Sequence, residues 1–148
     1  MRTTTQIEAD VRAEIVLDPR IPDADEIAIW TSDGTVTLRG TVGSFAQRRA
    51  AVADARKIQG VYDVYDELEV RLLNDSRRDD AEIRGAALQM LMWDVEIPAE
   101  LLDVHVGDGW VTLKGDVDFQ YQSDDAFDDV ASLMGVVGVT NEIRVTTP

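Results

Sequence analysis

From Ile27 to Leu38 the side chains alternate between buried-type and polar. Ile27, Ile29 and Thr31 fall on one side of an Asp33-Gly34 step, and Val36 and Leu38 on the other. A period of two is that of a β-strand with one face in a core. Asp-Gly favours a two-residue turn, because both central positions take φ > 0, which Asp tolerates and Gly prefers. With Asp33 and Gly34 at the tip, Ser32 pairs with Thr35, Thr31 with Val36, Trp30 with Thr37 and Ile29 with Leu38. Both strands then send their apolar side chains to the same face, and a slip of one residue would undo that agreement. The pattern recurs around Asp108-Gly109, where Val106 meets Val111 and Val104 meets Leu113. These glycines serve turns. A phosphate loop would need its glycines between a strand and a helix.

On either side of each hairpin the period lengthens. Ile7, Val11 and Ile15 recur every four residues on one helical face, as do Ile83, Ala87 and Leu91. Thr3 with Gln6, and Asp79 with Glu82, have the spacing of a capping box that opens each helix. Pro19, Pro22 and Pro98 exclude helix beyond those stripes. A second helix is expected from about Ser44 to Gln59, capped by Ser44 with Gln47, its buried stripe Val52, Ala55 and Ile58 with Ala51. The counterparts are Phe127, Val130, Ala131 and Met134. Gly60 and Gly135 fall where the chain leaving a helix takes a left-handed residue. The last strands alternate Val64, Asp66, Leu68, Val70 and Val139, Asn141, Ile143, Val145. The inward polar residues Asp66 and Asn141 are expected to bond nearby backbone.

The chain is therefore written twice. At an offset of 75, Asp33, Gly34, Val36, Thr37, Leu38, Gly40 and Val42 fall on Asp108, Gly109, Val111, Thr112, Leu113, Gly115 and Val117. Gly60, Val61, Val64, Glu67 and Val70 likewise fall on Gly135, Val136, Val139, Glu142 and Val145. Upstream the offset is 76, matching Ile7, Asp18 and Pro22 to Ile83, Asp94 and Pro98, so the second copy lacks one residue between Pro98 and Val104. Repeats at 1–72 and 81–148 are joined by a polar linker at 73–80. The expected fold class is α+β: two αββαβ sandwiches in tandem, each a three-stranded mixed sheet with two helices on one face. The strand–helix–strand crossover makes its two strands parallel.

Composition narrows the function classes. Of 148 residues, 45% are hydrophobic, enough for a core, and no cysteine offers a disulfide or thiolate metal ligand. Formal net charge is −15, and it is uneven. Residues 1–74 carry 9 Lys/Arg against 13 Asp/Glu (−4), and residues 75–148 carry 5 against 16 (−11). A phosphate-coated partner meets repulsion over most of the second half, which argues against nucleic acid and leaves weak anionic lipid binding at most. The start, MRTTTQIEAD, has no apolar run, so the expected location is cytoplasmic, or periplasmic if a signal has been removed.

The ordered set DGxVxLxGxV, a helix, then GVxxVxxxLxV occurs at Asp33–Val42 with Gly60–Val70 and again at Asp108–Val117 with Gly135–Val145. It resembles the BON domain of bacterial osmotically induced and nodulation proteins. The resemblance implies an αββαβ sandwich, no catalysis, and a binding module tied to the envelope or to osmotic stress. Phospholipid association is the usual proposal for the family, and members joined to a LysM module imply potassium binding. The chain lacks room for a LysM module, and its acidity departs from the envelope members.

Candidate residues follow from exposure and clustering. His105 faces outward opposite Thr112, with Asp103 beside it and Lys114 opposing, a poor start for a metal site. No nucleophile–base constellation emerges, and no enzyme, cofactor or metal is expected. The candidate interaction surface comprises Trp30, Tyr65 and Trp110 on the open sheet faces, with Leu88, Met90, Met92 and Trp93 on a helix that is apolar almost all round. Met92 lies about 100° beyond the Leu91 stripe, so that face is expected to pack on the other repeat, another subunit or a client. Asp116, Asp118, Asp124, Asp125, Asp128 and Asp129 form a candidate weak cation surface. Two readings remain: a binding or scaffolding protein for a protein or envelope component, with homo-oligomers included, or a cytoplasmic potassium-responsive module.

Overall fold

The computed structural model describes residues 3–22, 24–72 and 78–146. Two compact units divide the chain at Arg71 and Leu72. Unit 1 runs α1 (Thr4–Leu17), β1 (Ile27–Ser32), β2 (Thr35–Val42), α2 (Phe45–Arg56), β3 (Asp63–Val70). Unit 2 repeats the order as α3 (Asp80–Trp93), β4 (Leu102–Gly107), β5 (Trp110–Val117), α4 (Gln120–Ala131), β6 (Gly138–Val145). A short 3-10 turn precedes β1 at Ala24–Glu26 and β4 at Ala99–Leu101. Residues 73–77, most of the expected linker, lie outside the described residues, whereas Arg78, Asp79 and Asp80 take part in unit 2. Asp79 caps α3 through the Glu82 N–H at 2.8 Å.

Each sheet is mixed, with the middle strand antiparallel to the first and parallel to the third. The hairpin register is the one set by alternation: Ile29 opposite Leu38 and Thr31 opposite Val36, Val104 opposite Leu113 and Val106 opposite Val111. Asp33 (φ 50°) and Gly34 (φ 80°) form one tip, Asp108 (φ 51°) and Gly109 (φ 80°) the other. Both central residues have positive φ, the I′ turn whose twist matches that of the strands it joins. Gly40 (φ 137°) answers a different demand. A Cβ there would sit 1.9 Å from the Glu26 carbonyl oxygen, so the backbone entering β1 lies flat on β2 only because position 40 has no side chain.

Both helices of a unit cover the same sheet face. Ile7, Val11 and Ile15 of α1, and Ile83, Ala87 and Leu91 of α3, are buried as their spacing requires. In α1 the capping box closes in both directions, Gln6 N–H to Thr3 Oγ1 and Thr3 N–H to Gln6 Oε1. In α2, Ser44 caps the Gln47 N–H, while Gln47 Oε1 accepts from Gly43 rather than from Ser44.

The second helices depart from expectation. They end at Arg56 and Ala131, not near residues 59 and 134, because Ile58 and Leu133 donate three residues back to Ala55 and Val130 and tighten into a turn before the left-handed Gly60 and Gly135. The buried faces are Ala50, Ala51, Asp54 and Ala55 in α2 and Ser123, Ala126, Val130 and Ala131 in α4. Val52, Ile58 and Phe127 sit half-buried at the margins, and Met134 is exposed because it lies past the helix end. Small side chains face the sheet at the closest approach. Of the expected stripes, Ala51, Ala55, Val130 and Ala131 are at the contact, and the larger Val52, Ile58, Phe127 and Met134 are not at its centre. In β6 the alternation also weakens toward the end, leaving Val145 exposed.

Candidate interaction surface

Among the described residues, the side of each sheet away from the helices carries no covering element of its own unit. In unit 1 it holds three cross-strand rows: Ser32–Thr35–Asp63, Trp30–Thr37–Tyr65 and Ala28–Arg39–Glu67. Sheet twist makes this face concave, a depression of about 1000 Å³ lined by Trp30, Thr37, Arg39, Tyr65 and Glu67 among others. Trp30 is 70% exposed and Tyr65 58%. Two large aromatics held side by side on rigid strands, flanked by Arg39 and Glu67 on one side and Asp63 on the other, have the make-up of an anchor for a partner.

Unit 2 builds the same face differently. Its rows are Gly107–Trp110–Gly138, His105–Thr112–Thr140 and Asp103–Lys114–Glu142. The Trp110 ring lies over Gly138, where an added Cβ would be 2.3 Å from it, and its Nε1–H donates to Thr140 Oγ1 at 2.7 Å. Lys114 pairs with Glu142 at 3.8 Å, and Asp103 with Arg84 at 3.5 Å. This aromatic is tied down and its neighbours are satisfied by one another. His105 stands outward opposite Thr112, as expected.

On α3, Leu88 and Met90 are half-buried, while Met92 and Trp93 are exposed, with Val95 following at 94% exposure. The equivalent positions on α1, Val16 and Leu17, are also exposed. An apolar step at the end of the first helix is thus common to both units, larger in the second.

The six aspartates of the candidate cation surface do not converge. Asp116 is held by Arg144 at 2.9 Å across the parallel strands, Asp124 accepts from Gln120, and Asp129 lies within the electrostatic reach of Asp94. Among the described residues no group of three or more His, Cys, Asp or Glu side chains could hold a metal ion.

Sequence reasoning missed a contact that recurs in both units. Asp18 follows α1 and its Oδ1 accepts the Arg20 backbone N–H; Asp94 follows α3 and accepts the Glu96 N–H in the same way. Asp54 of α2 lies within the electrostatic reach of Asp18, and Asp129 of α4 within that of Asp94. Asp54 is only 2% exposed, and among the described residues no hydrogen-bond partner reaches its Oδ2 or that of Asp129. Burial, followed by the neighbouring Asp18, pushes Asp54 up to about 6, with Lys57 and Arg20 opposing. The Arg20 hydrogen bonds hold Asp18 well below the usual carboxylate range. In unit 2, burial and the neighbouring Asp94, Asp125 and Asp128 push Asp129 up to about 7. The signal was present in the alignment: Asp18 with Asp94 and Asp54 with Asp129 are the same two offsets, but a carboxylate on a helix reads as a solvated one.

The polar residue inside each sheet behaves as expected. Asp66 Oδ1 accepts the Leu68 N–H and Asn141 Oδ1 the Ile143 N–H. Each also meets the helix above, Arg48 with Asp66 in unit 1 and Ser123 with Asn141 in unit 2.

Comparison with known proteins places these features. The BON domain model matches residues 3–71 and 79–147. Osmotically-inducible protein Y of Escherichia coli K12 is 34% identical over 142 residues, covering 93% of this chain and 70% of that protein. Among solved structures, CdsD, a structural protein of the type III secretion system of Chlamydia trachomatis, aligns with a TM-score of 0.42 at 14% identity over 96% of this chain and 63% of its own length. A C-terminal domain of CdsD aligns with a TM-score of 0.40 at 14% identity over 94% of this chain and 66% of its own length.

Proposed function

We propose, from the premise that this chain belongs to the BON-domain family with two copies in tandem, that it is a non-enzymatic binding or scaffolding protein of bacterial osmotic or envelope stress. Neither the family nor its osmotically inducible relative is known for catalysis. The observation that carries the reading is the concave sheet face of unit 1, where Trp30 and Tyr65 stand exposed on rigid strands with Arg39 and Glu67 beside them. The exposed end of α3 supplies a second apolar surface. A protein or envelope component of mixed polar and apolar character fits such a face better than a polyanion does.

A photo-crosslinking side chain at position 30, in the native cell, tests this. One specific crosslinked species is expected, absent when the same group replaces exposed Ala13 on α1. With the partner in hand, Trp30→Ser is expected to weaken binding by about thirtyfold or more, since an aromatic anchor contributes about 2 kcal/mol or more. Equal crosslinking from both positions would end the assignment of this face.

The alternative, a potassium-responsive module, is tested by melting the protein in potassium and sodium chloride at equal ionic strength. A ligand held only by the folded state raises stability. Equal midpoints are expected under the binding reading, and a rise specific to potassium moves the conclusion to the alternative.

A further inference from the structure

The tips of the two hairpins are alike in backbone and unlike in what meets them. In unit 2 the carboxylate of Asp80, the first residue of α3, accepts two backbone N–H groups of the tip. Asp108 N–H donates to Oδ2 and Gly109 N–H to Oδ1, both at 2.9 Å. Successive backbone N–H groups aimed at one anion form a nest. The tip of unit 1 has the same backbone, φ 50° and 80° against 51° and 80°. It is also held from its other side by the same bond: the Gly34 carbonyl accepts from Tyr62 N–H at 2.8 Å, as the Gly109 carbonyl does from Val137 N–H at 3.0 Å. At the Asp80 position, however, unit 1 has Thr4, which brings no carboxylate. Among the described residues, the Asp33 and Gly34 N–H groups donate to no acceptor.

A depression of about 470 Å³ opens at this tip, lined by Thr4, Ile7, Gly34, Gln59 and Tyr62 among others. Gly34 is half-buried in it, whereas Gly109 is buried. The first turn of α1 holds no acidic residue, and that of α3 holds Asp80 and Glu82. The positive end of the α1 dipole therefore lacks the carboxylate that unit 2 supplies to α3. Asp33 brings its own negative charge to the rim. Its counterpart Asp108 does the same in unit 2, where the Asp80 carboxylate is bound all the same.

We propose that the hairpin tip of unit 1 is a binding site for a carboxylate of another polypeptide, an acidic side chain that takes the place Asp80 takes in unit 2. The guest class follows from the second copy, where an aspartate side chain satisfies the same two N–H groups. Ile7 and Tyr62 border the depression, so the stem and backbone of the guest meet apolar surface while its oxygens meet the nest. The tip is fixed by its turn and by the Tyr62 bond, so binding orders little of the host. Unit 1 is also the less acidic half, which lowers the repulsion that an acidic segment meets. The site lies around the tip from the concave sheet face and shares Asp33 with it. It stands or falls apart from that face.

Amide proton and nitrogen shifts of the full chain test this at neutral pH, with sodium acetate as the probe and sodium chloride at equal ionic strength as the control. In the wild type, the Asp33 and Gly34 amide protons are expected to move downfield with acetate and to saturate, while those of Asp108 and Gly109 stay still. Thr4→Asp gives unit 1 the residue of unit 2. It is expected to abolish the acetate response and to leave both amides where saturating acetate puts them in the wild type. Asp80→Thr is expected to create the response at Asp108 and Gly109. The N-acetyl amide of aspartic acid should bind the wild-type tip more tightly than acetate does, and no gain over acetate removes the polypeptide guest. Inorganic phosphate saturating the tip below the concentration that the aspartate amide needs would overturn the carboxylate class. Asp33 and Gly34 amides that follow acetate no further than chloride end the proposal, as does an equal response in wild type and Thr4→Asp.

Discussion

Thr31 is the clearest case at the scale of single residues. It faces the core at 3% exposure, and its Oγ1 has no hydrogen-bond partner. The corresponding position of unit 2 is Val106. A buried hydroxyl left unpaired costs about 1–3 kcal/mol, so Thr31→Val is expected to stabilise unit 1 by about 1 kcal/mol in urea unfolding. Gly40 points the other way. Gly40→Ala drives a Cβ into the Glu26 carbonyl and forces alanine into a positive φ, and a loss of about 3 kcal/mol or more is expected by the same measurement. Thr31 and Gly40 both showed in the sequence, one as an inward position and the other as a repeated glycine. Asp54 did not, because nothing in its type distinguishes a carboxyl buried among Ala50, Ala51 and Ala55 from one in water.

Among the elements, the hairpins were legible to the residue because three signals agreed: strict alternation, an Asp-Gly tip and a second copy. The first helices were legible from capping and from large apolar residues four apart. α2 and α4 were legible only as helices. Their buried faces are mostly small residues, so the expected stripes caught Ala51, Ala55, Val130 and Ala131 at the centre but added Val52, Ile58 and Phe127 at the margins and Met134 outside. α3 adds a test of helix propensity. Gly85 lies in an exposed turn with no atom within 4 Å of an added Cβ, and its counterpart in α1 is Ala9. Gly85→Ala is expected to stabilise unit 2 by about 1 kcal/mol, which chemical denaturation at pH 6 would register. Met92 lies off the core stripe of α3 and is exposed. Met92→Asp is expected to leave circular dichroism unchanged while lowering the mass seen by light scattering at high protein concentration. An unchanged mass would mean this surface does not hold copies of the chain together.

The whole molecule carries a formal net charge of −15, most of it on the second half. Like charges on a folded surface repel over a Debye length of about 8 Å at physiological salt. Raising sodium chloride from low values is therefore expected to raise the melting midpoint, with unit 2 gaining more than unit 1. The same field opposes anionic membranes, and co-sedimentation with phosphatidylglycerol vesicles is expected to be weak at physiological ionic strength. Strong, salt-sensitive pelleting would revive a lipid role. Tandem organisation and fold class were open to the sequence because they depend on repetition. The binding face was only partly open, since Trp30 and Trp110 look equivalent in composition, and the difference between a free ring and one laid over Gly138 is three-dimensional.

Two near copies in one chain create a hazard during synthesis. A helix from one half can settle on the sheet of the other, since both offer the same shape and the same small-residue contact. The polar pairs beneath the second helices discriminate between right and wrong. Arg48 belongs with Asp66, and Ser123 with Asn141. Exchange would leave a guanidinium over an amide and a hydroxyl over a lone carboxylate, both in partly buried positions where an unmatched charge is costly. These pairs act as a lock and a key cut differently for each half. Making unit 1 read like unit 2, by Arg48→Ser with Asp66→Asn, erases the difference. Refolding from urea should then produce intertwined, kinetically trapped chains that the natural sequence avoids.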